Sequence, residues 1–181
     1  MKGIIFNLAE EVIVAAHGED AWDGLLDASG LDGAYTSLGS YPDDDLVKLV
    51  QAGSEALGVP PDVVVRSIGE GAMPLLAERF PAFFEGHASC RTFLLTLNDI
   101  IHSEVRKLYP GALTPEFSFE APQPDVVLVR YESPRRLCAL AEGFILGAGR
   151  HYGERVDITQ TSCMHRGDDH CRLRCTFSAA A

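Results

Sequence analysis

The sequence predicts an α+β fold, a helical N-terminal half packed with a four-stranded antiparallel sheet and one further helix towards the C-terminus. Three observations carry this. Up to about residue 110, apolar residues recur at helical spacing between recognisable caps. Beyond Tyr109, Pro110, Pro115, Pro122 and Pro124 punctuate short extended runs. Near the C-terminus, two strand-like runs flank the polar turn HRGDD. At 181 residues and 46% hydrophobic content, the chain is expected to form one compact domain over 1–181, with a helical subregion of about 1–110 and a sheet-containing subregion of about 111–181.

Taken in order, Met1 to Asn7 reads as an extended segment leading into a helix from about Leu8 to Gly18. A second helix is expected over Asp20 to Ser29, burying Trp22, Leu25 and Leu26, with Gly30 as its C-cap. Asp43, Asp44 and Asp45 open a helix to about Leu57, where negative charge favours the positive end of the helix dipole. Pro60 and Pro61 begin the next, to about Glu78, and FPAFF (Phe80 to Phe84) closes it. A long helix is expected from Ser89 to near Leu108. Strands follow at Glu116 to Glu120 and Asp125 to Glu132, then a helix from Pro134 to about Tyr152, then an antiparallel hairpin of Glu154 to Cys163 with His170 to Phe177.

Charge narrows the function. A formal net charge of -11 and a pI near 4.9 argue against nucleic-acid binding, which needs a basic face. No apolar run approaches the length of a membrane span and no leader pattern is visible, so a cytoplasmic protein is expected. The five cysteines are odd in number and three lie close to the C-terminus, which suits a reducing compartment with metal or redox chemistry better than a disulfide framework.

The segment YESPRR is the most telling motif. The strand before it puts Tyr131 and Ser133 on one face at spacing two. Ser133 is a good N-cap and Pro134 a good first helical residue, so free backbone N–H groups should open to the same place, beside the permanently charged fork of Arg135. Such a cluster suits carboxylate or phosphate groups. On the long helix, Leu94, Leu97, Ile101, Val105 and Leu108 form an apolar stripe, with His102 at its edge one turn from Asn98. An inward imidazole, an apolar pocket and an anion grip together suit haem, which needs an axial nitrogen and has two carboxylates to hold.

With MKGIIFN at the start, IIHSEVRKLYP on the long helix, Pro115 after it, and Tyr131, Ser133 and Arg135 in a Y-x-S-x-R pattern, the chain resembles the haem nitric oxide/oxygen-binding (H-NOX) domains, bacterial stand-alone type. Relatives include the sensory domain of soluble guanylate cyclase. The resemblance covers essentially the whole length. It implies haem b between the helical and sheet-containing parts, His102 as proximal iron ligand, propionates held by Tyr131, Ser133 and Arg135, and Pro115 pressed on the porphyrin. Oxygen-binding members use a distal tyrosine; the matching residue here is Leu140, and Phe144, Ile5 and Leu76 are apolar too. Bound dioxygen gains much from a hydrogen-bond donor and nitric oxide little, so a nitric oxide sensor that excludes oxygen is expected. By the same resemblance, nitric oxide weakens or breaks the bond to His102, the haem flattens against Pro115 and Ile5, and the helical half shifts against the sheet. The output is expected to be a separate partner, a histidine kinase or a cyclic-di-GMP enzyme, and the chain itself is not expected to be an enzyme.

Cys163, His165, His170 and Cys171 flank one turn, and Cys138 lies just after the anion grip, a plausible set for tetrahedral zinc. In some H-NOX proteins zinc is held by cysteines matching Cys138, Cys163 and Cys171 and by a histidine whose position here is Gln160. The fourth ligand is open among His165, His170 and Cys175. Cys175 shares the face of Cys171 but sits roughly 13 Å along the strand, so the histidines look more reachable. Cys90 reads as core. The alternative reading is a haem-free zinc-containing small-molecule sensor of the kind related to 4-vinyl reductases, or a thiol redox sensor, in either of which His102 is a core residue. The joint presence of His102 and Y-x-S-x-R speaks against both.

Overall fold

The computed structural model describes residues 1–180. Seven α-helices are present among them: α1 (Gly3–His17), α2 (Glu19–Ser29), α3 (Asp43–Leu57), α4 (Pro61–Arg79), α5 (Cys90–Leu94), α6 (His102–Leu108) and α7 (Cys138–His151). Four strands, β1 (Glu116–Gln123), β2 (Val126–Glu132), β3 (Glu154–Ser162) and β4 (Cys171–Ala179), form one antiparallel sheet in the order β1-β2-β4-β3. The fold is therefore α+β, as predicted, and the change from helix to strand falls among the prolines after Tyr109. Val127 and Val129 on β2 and Leu173 and Cys175 on β4 are fully buried, because these central strands carry helices on one face.

Three local expectations are corrected. The first residues are helical from Gly3, with extended pairing confined to a bridge between Lys2 and Ser40. The loop before α3 supplies the reason: carbonyls of Gly39 and Ser37 accept the N–H groups of Gly3 and Ile4, each at 3.1 Å, satisfying donors that a helix start leaves free. A side chain at Gly3 would put its Cβ 1.9 Å from the Thr36 carbonyl oxygen, so this approach requires glycine.

The long helix expected from Ser89 to Leu108 is broken. Ser89 and Thr92 form the reciprocal capping box that starts α5. The Thr96 hydroxyl then donates to the Phe93 carbonyl at 2.7 Å, and a π-helical turn spans Leu97–Ile101, in which the N–H groups of Ile101 and His102 reach back five residues to the carbonyls of Thr96 and Leu97. The last helix begins at Cys138 instead of Pro134. Arg136 adopts a left-handed φ of 52° in a turn closed by its N–H to the Ser133 carbonyl, so Ser133 caps that turn and not the helix. The first free donor near α7, the Leu137 N–H, goes to the Tyr131 hydroxyl at 2.9 Å.

Helices α4 and α7 meet backbone to backbone. A Cβ on Gly143 would lie 2.1 Å from the Arg66 carbonyl oxygen, on Gly147 2.5 Å from that of Glu70, and on Gly69 2.5 Å from that of Leu140. This glycine seam fixes the face of α7 that carries Leu140 and Phe144.

Candidate functional site

A cavity of about 470 Å³ lies between α1, α4, the Phe93–Tyr109 segment, the loop to Pro115, and α7. That size is ordinary for a small-molecule or cofactor site. Its wall is mostly apolar and includes every residue singled out for a cofactor: His102, Pro115, Tyr131, Ser133, Arg135, Ile5, Leu76, Leu140 and Phe144. Met73, Phe93, Leu97 and Phe117 also line it, as do Leu108, which stays half exposed, and Tyr109. A wider, more open cleft of about 1000 Å³ between α1 and α2 touches none of the predicted residues.

His102 is the first residue of α6, at the end of the π turn. Its Nδ1 is buried beside the backbone of Pro115, without a well-formed hydrogen bond among the described residues. Burial, helped by the charge of Arg106 and opposed by the backbone at Pro115, pushes its pKa down to about 4. The imidazole is thus neutral near pH 7, with a nitrogen lone pair to give. The Phe117 ring packs 5.6 Å from the imidazole.

The polar part of the wall is the Tyr131–Ser133–Arg135 group. Tyr131 and Ser133 are both buried and on one side of β2 and its extension, as the alternation predicted. Burial raises the Tyr131 phenol, so it stays protonated, while its oxygen accepts the Leu137 N–H. Arg135 donates from Nε to Asp43 Oδ2 at 2.8 Å and from Nη1 to the Leu113 carbonyl at 2.6 Å. Asp43 was legible only as a helix-start acid; its link to Arg135, 92 residues away, has no sequence signal. The donor set fits a flat apolar group with carboxylates on one edge and an unfilled axial position: one free buried nitrogen, a greasy slot, and hydroxyls with a guanidinium.

Cys138, Cys163 and Cys171 come together, their sulfurs all within 4.8 Å of one another. Burial pushes the Cys138 thiol up to about 12 and raises Cys171 too, so without a cation both are protonated. None of the three candidates for a fourth ligand joins them. Cys175 lies in a separate part of the core, opposite Val127 and Ile158, two alternations along β4 from Cys171. The His165 Nε2 is 2.7 Å from the Arg136 carbonyl at the surface. The His170 Nδ1 is buried without a partner among the described residues, yet the residue is not in the cluster. The Gln160 side chain acts on the Cys138 thiol, partly opposing the effect of burial. Cys90 is core, its thiol directed at the Ile145 carbonyl.

An α+β domain with a buried neutral imidazole and an anion grip on one apolar cavity has the build of a cofactor-binding domain. The family model described as Haem-NO-binding matches residues 2–160. Over 98% of this chain and 99% of theirs, two structures of an H-NOX protein from Shewanella oneidensis align: the Fe(II)NO state at 34% identity and a TM-score of 0.92, and the Fe(II)CO state at 35% and 0.89. An unliganded Fe(II) H-NOX protein from K. algicida shares the fold at 24% identity and a TM-score of 0.87, over 98% of this chain and 97% of that one. Among curated proteins no match is found. The chain belongs to the H-NOX family of haem-binding gas-sensor domains.

Proposed function

We propose that the protein is a nitric oxide sensor built as a single domain over 1–181, with haem b in the 470 Å³ cavity. The carrying observation is the neutral, buried imidazole of His102 on the wall of a mostly apolar cavity that also bears the anion grip. His102 would hold the haem iron through its imidazole, and Tyr131, Ser133 and Arg135 would hold the haem carboxylates. Haem, when bound, supplies the ferrous iron to which a diatomic gas adds.

The chain's own residues set selectivity and response. Leu140, Phe144, Leu76 and Ile5 present no donor. Tyr152 spends its hydroxyl on the Phe84 carbonyl at 2.9 Å. A gas that needs a hydrogen bond is disfavoured here and nitric oxide is not. His102 heads a short helix joined through a π turn, so freeing its nitrogen lets Leu97 to Leu108 move against the sheet, with Pro115 and Ile5 following the cofactor's shape. The domain is a switch and not an enzyme, acting in the cytoplasm on a histidine kinase or a cyclic-di-GMP enzyme in trans. No described helix is long and apolar enough to cross a membrane. The decisive variant is His102→Gly: haem retention should fall strongly and return with added imidazole. Unchanged retention and spectrum would remove His102 from the site.

The clustering of Cys138, Cys163 and Cys171 favours a second feature, a zinc ion that these three residues would hold as thiolates. Metal analysis of the purified protein should give about one zinc per chain, lost in Cys138→Ser.

A further inference from the structure

The segment that bears His102 is tied to the sheet by one side chain. Asn98 lies in the π turn, one turn before His102. Its Nδ2 donates to the Phe117 carbonyl, and its Oδ1 accepts the Phe117 N–H at 3.4 Å. This two-way exchange has the form of pairing between neighbouring strands. β1 is the edge of the sheet, and the inner side of Phe117 pairs with Tyr131 on β2. Asn98 therefore takes the place of a further strand at that residue.

Phe117 is not a neutral anchor point. Its ring lies 5.6 Å from the His102 imidazole and 5.5 Å from the Tyr131 ring. The backbone at Pro115, two residues earlier, also acts on the imidazole. The start of β1 thus receives both Asn98 and His102, side chains one turn apart on the same segment. The helical hydrogen bonding of that segment is already loosened by the π turn, so its position depends on what fastens it from outside.

We propose that Asn98 is a positioning residue for His102: by clamping the π turn to the Phe117 backbone it limits how far the imidazole can withdraw from the cavity. Nothing in the spacing of residues assigns this role, since a lone asparagine on a helix reads as a surface or stripe-edge residue. The inference rests on His102 being the axial ligand.

Asn98→Leu, close in size, removes both hydrogen bonds, and the test uses the full chain with and without haem. In the haem-free protein the Phe117 amide should exchange faster with solvent, by about two- to tenfold, the factor one net hydrogen bond is worth. In the ferrous haem-loaded protein the iron–histidine stretching band should shift in the resonance Raman spectrum. Release of the histidine after nitric oxide is added should quicken by a similar factor. Asn98→Asp keeps the acceptor for the Phe117 N–H and should fall between the two. Faster amide exchange with an unmoved stretching band and unchanged release would leave Asn98 merely structural and overturn the proposal. A wild-type protein without any iron–histidine band would instead sink the axial-ligand reading, and the clamp with it.

Discussion

The two walls of the cavity are built on opposite plans. The α4–α7 wall is a seam of glycines in backbone contact, Gly69 against Gly143 and Gly147 against Glu70, with Arg66 and Glu142 paired at 2.9 Å across it. The wall bearing His102 is three short helical pieces, one of them a π turn, held to the sheet by the two hydrogen bonds of Asn98. One wall has almost no freedom to slide, since packed backbones cannot separate by fractions of an ångström without losing contact along the whole seam. The other can change its fastening at one or two bonds. The α4–α7 side is thus fixed while the side bearing His102 is adjustable, the division that the proposed switch requires.

The largest effect should come from wedging the rigid wall. Gly143→Val needs α4 and α7 to part at the Arg66 carbonyl, costing about 3 kcal/mol and lowering the melting midpoint by roughly 10 °C. A variant that melts like the parent would show that the seam is not tight. His102→Gly, on the adjustable wall, should leave the melting of the haem-free protein nearly unchanged while abolishing stable haem uptake. If instead it unfolds the apoprotein, the wall is structural and not poised.

A smaller effect is expected at the face of the rigid wall. Leu140→Tyr places a phenol where only apolar groups stand, and one added hydrogen bond should raise oxygen affinity about tenfold, read as an oxygen-dependent band in air. No change in air would mean the hydroxyl turns away from the gas site. The smallest concerns Glu142. Burial raises its carboxyl above the ordinary 4.5, with Arg66 pulling it back. A carboxyl whose folded pKa lies above its unfolded one gives stability that is full below about pH 4.5 and is lost as the pH rises through the folded value. Glu142→Gln should flatten that decline in denaturation midpoints measured from pH 4.5 upward; an identical pH profile would mean that Arg66 cancels the burial.

Much of this was legible because its causes are local. Asp43, Gly30, Pro61 and Ser89 mark helix ends through local causes, and the alternation of β2 placed Tyr131 and Ser133 together. His102 and the grip could be named, but only the fold brings Leu76, Ile5 and Phe144 onto the same cavity. What escaped the sequence depends on distant partners. The helix start at Gly3 needs the Thr36 to Gly39 loop, the late start of α7 needs the Tyr131 hydroxyl, and the break before His102 involves threonine hydroxyls that compete for helical carbonyls. Cys175 alternates onto the right face but belongs to another part of the core.

The central claim is tested most directly by the absorption spectrum of the purified, reduced protein, recorded in air and again after nitric oxide. The account predicts a five-coordinate ferrous haem spectrum that air leaves unchanged and nitric oxide shifts. A stable oxygen-bound spectrum in air would contradict the apolar selectivity of the α7 wall, and a protein that takes up no haem would contradict the site itself.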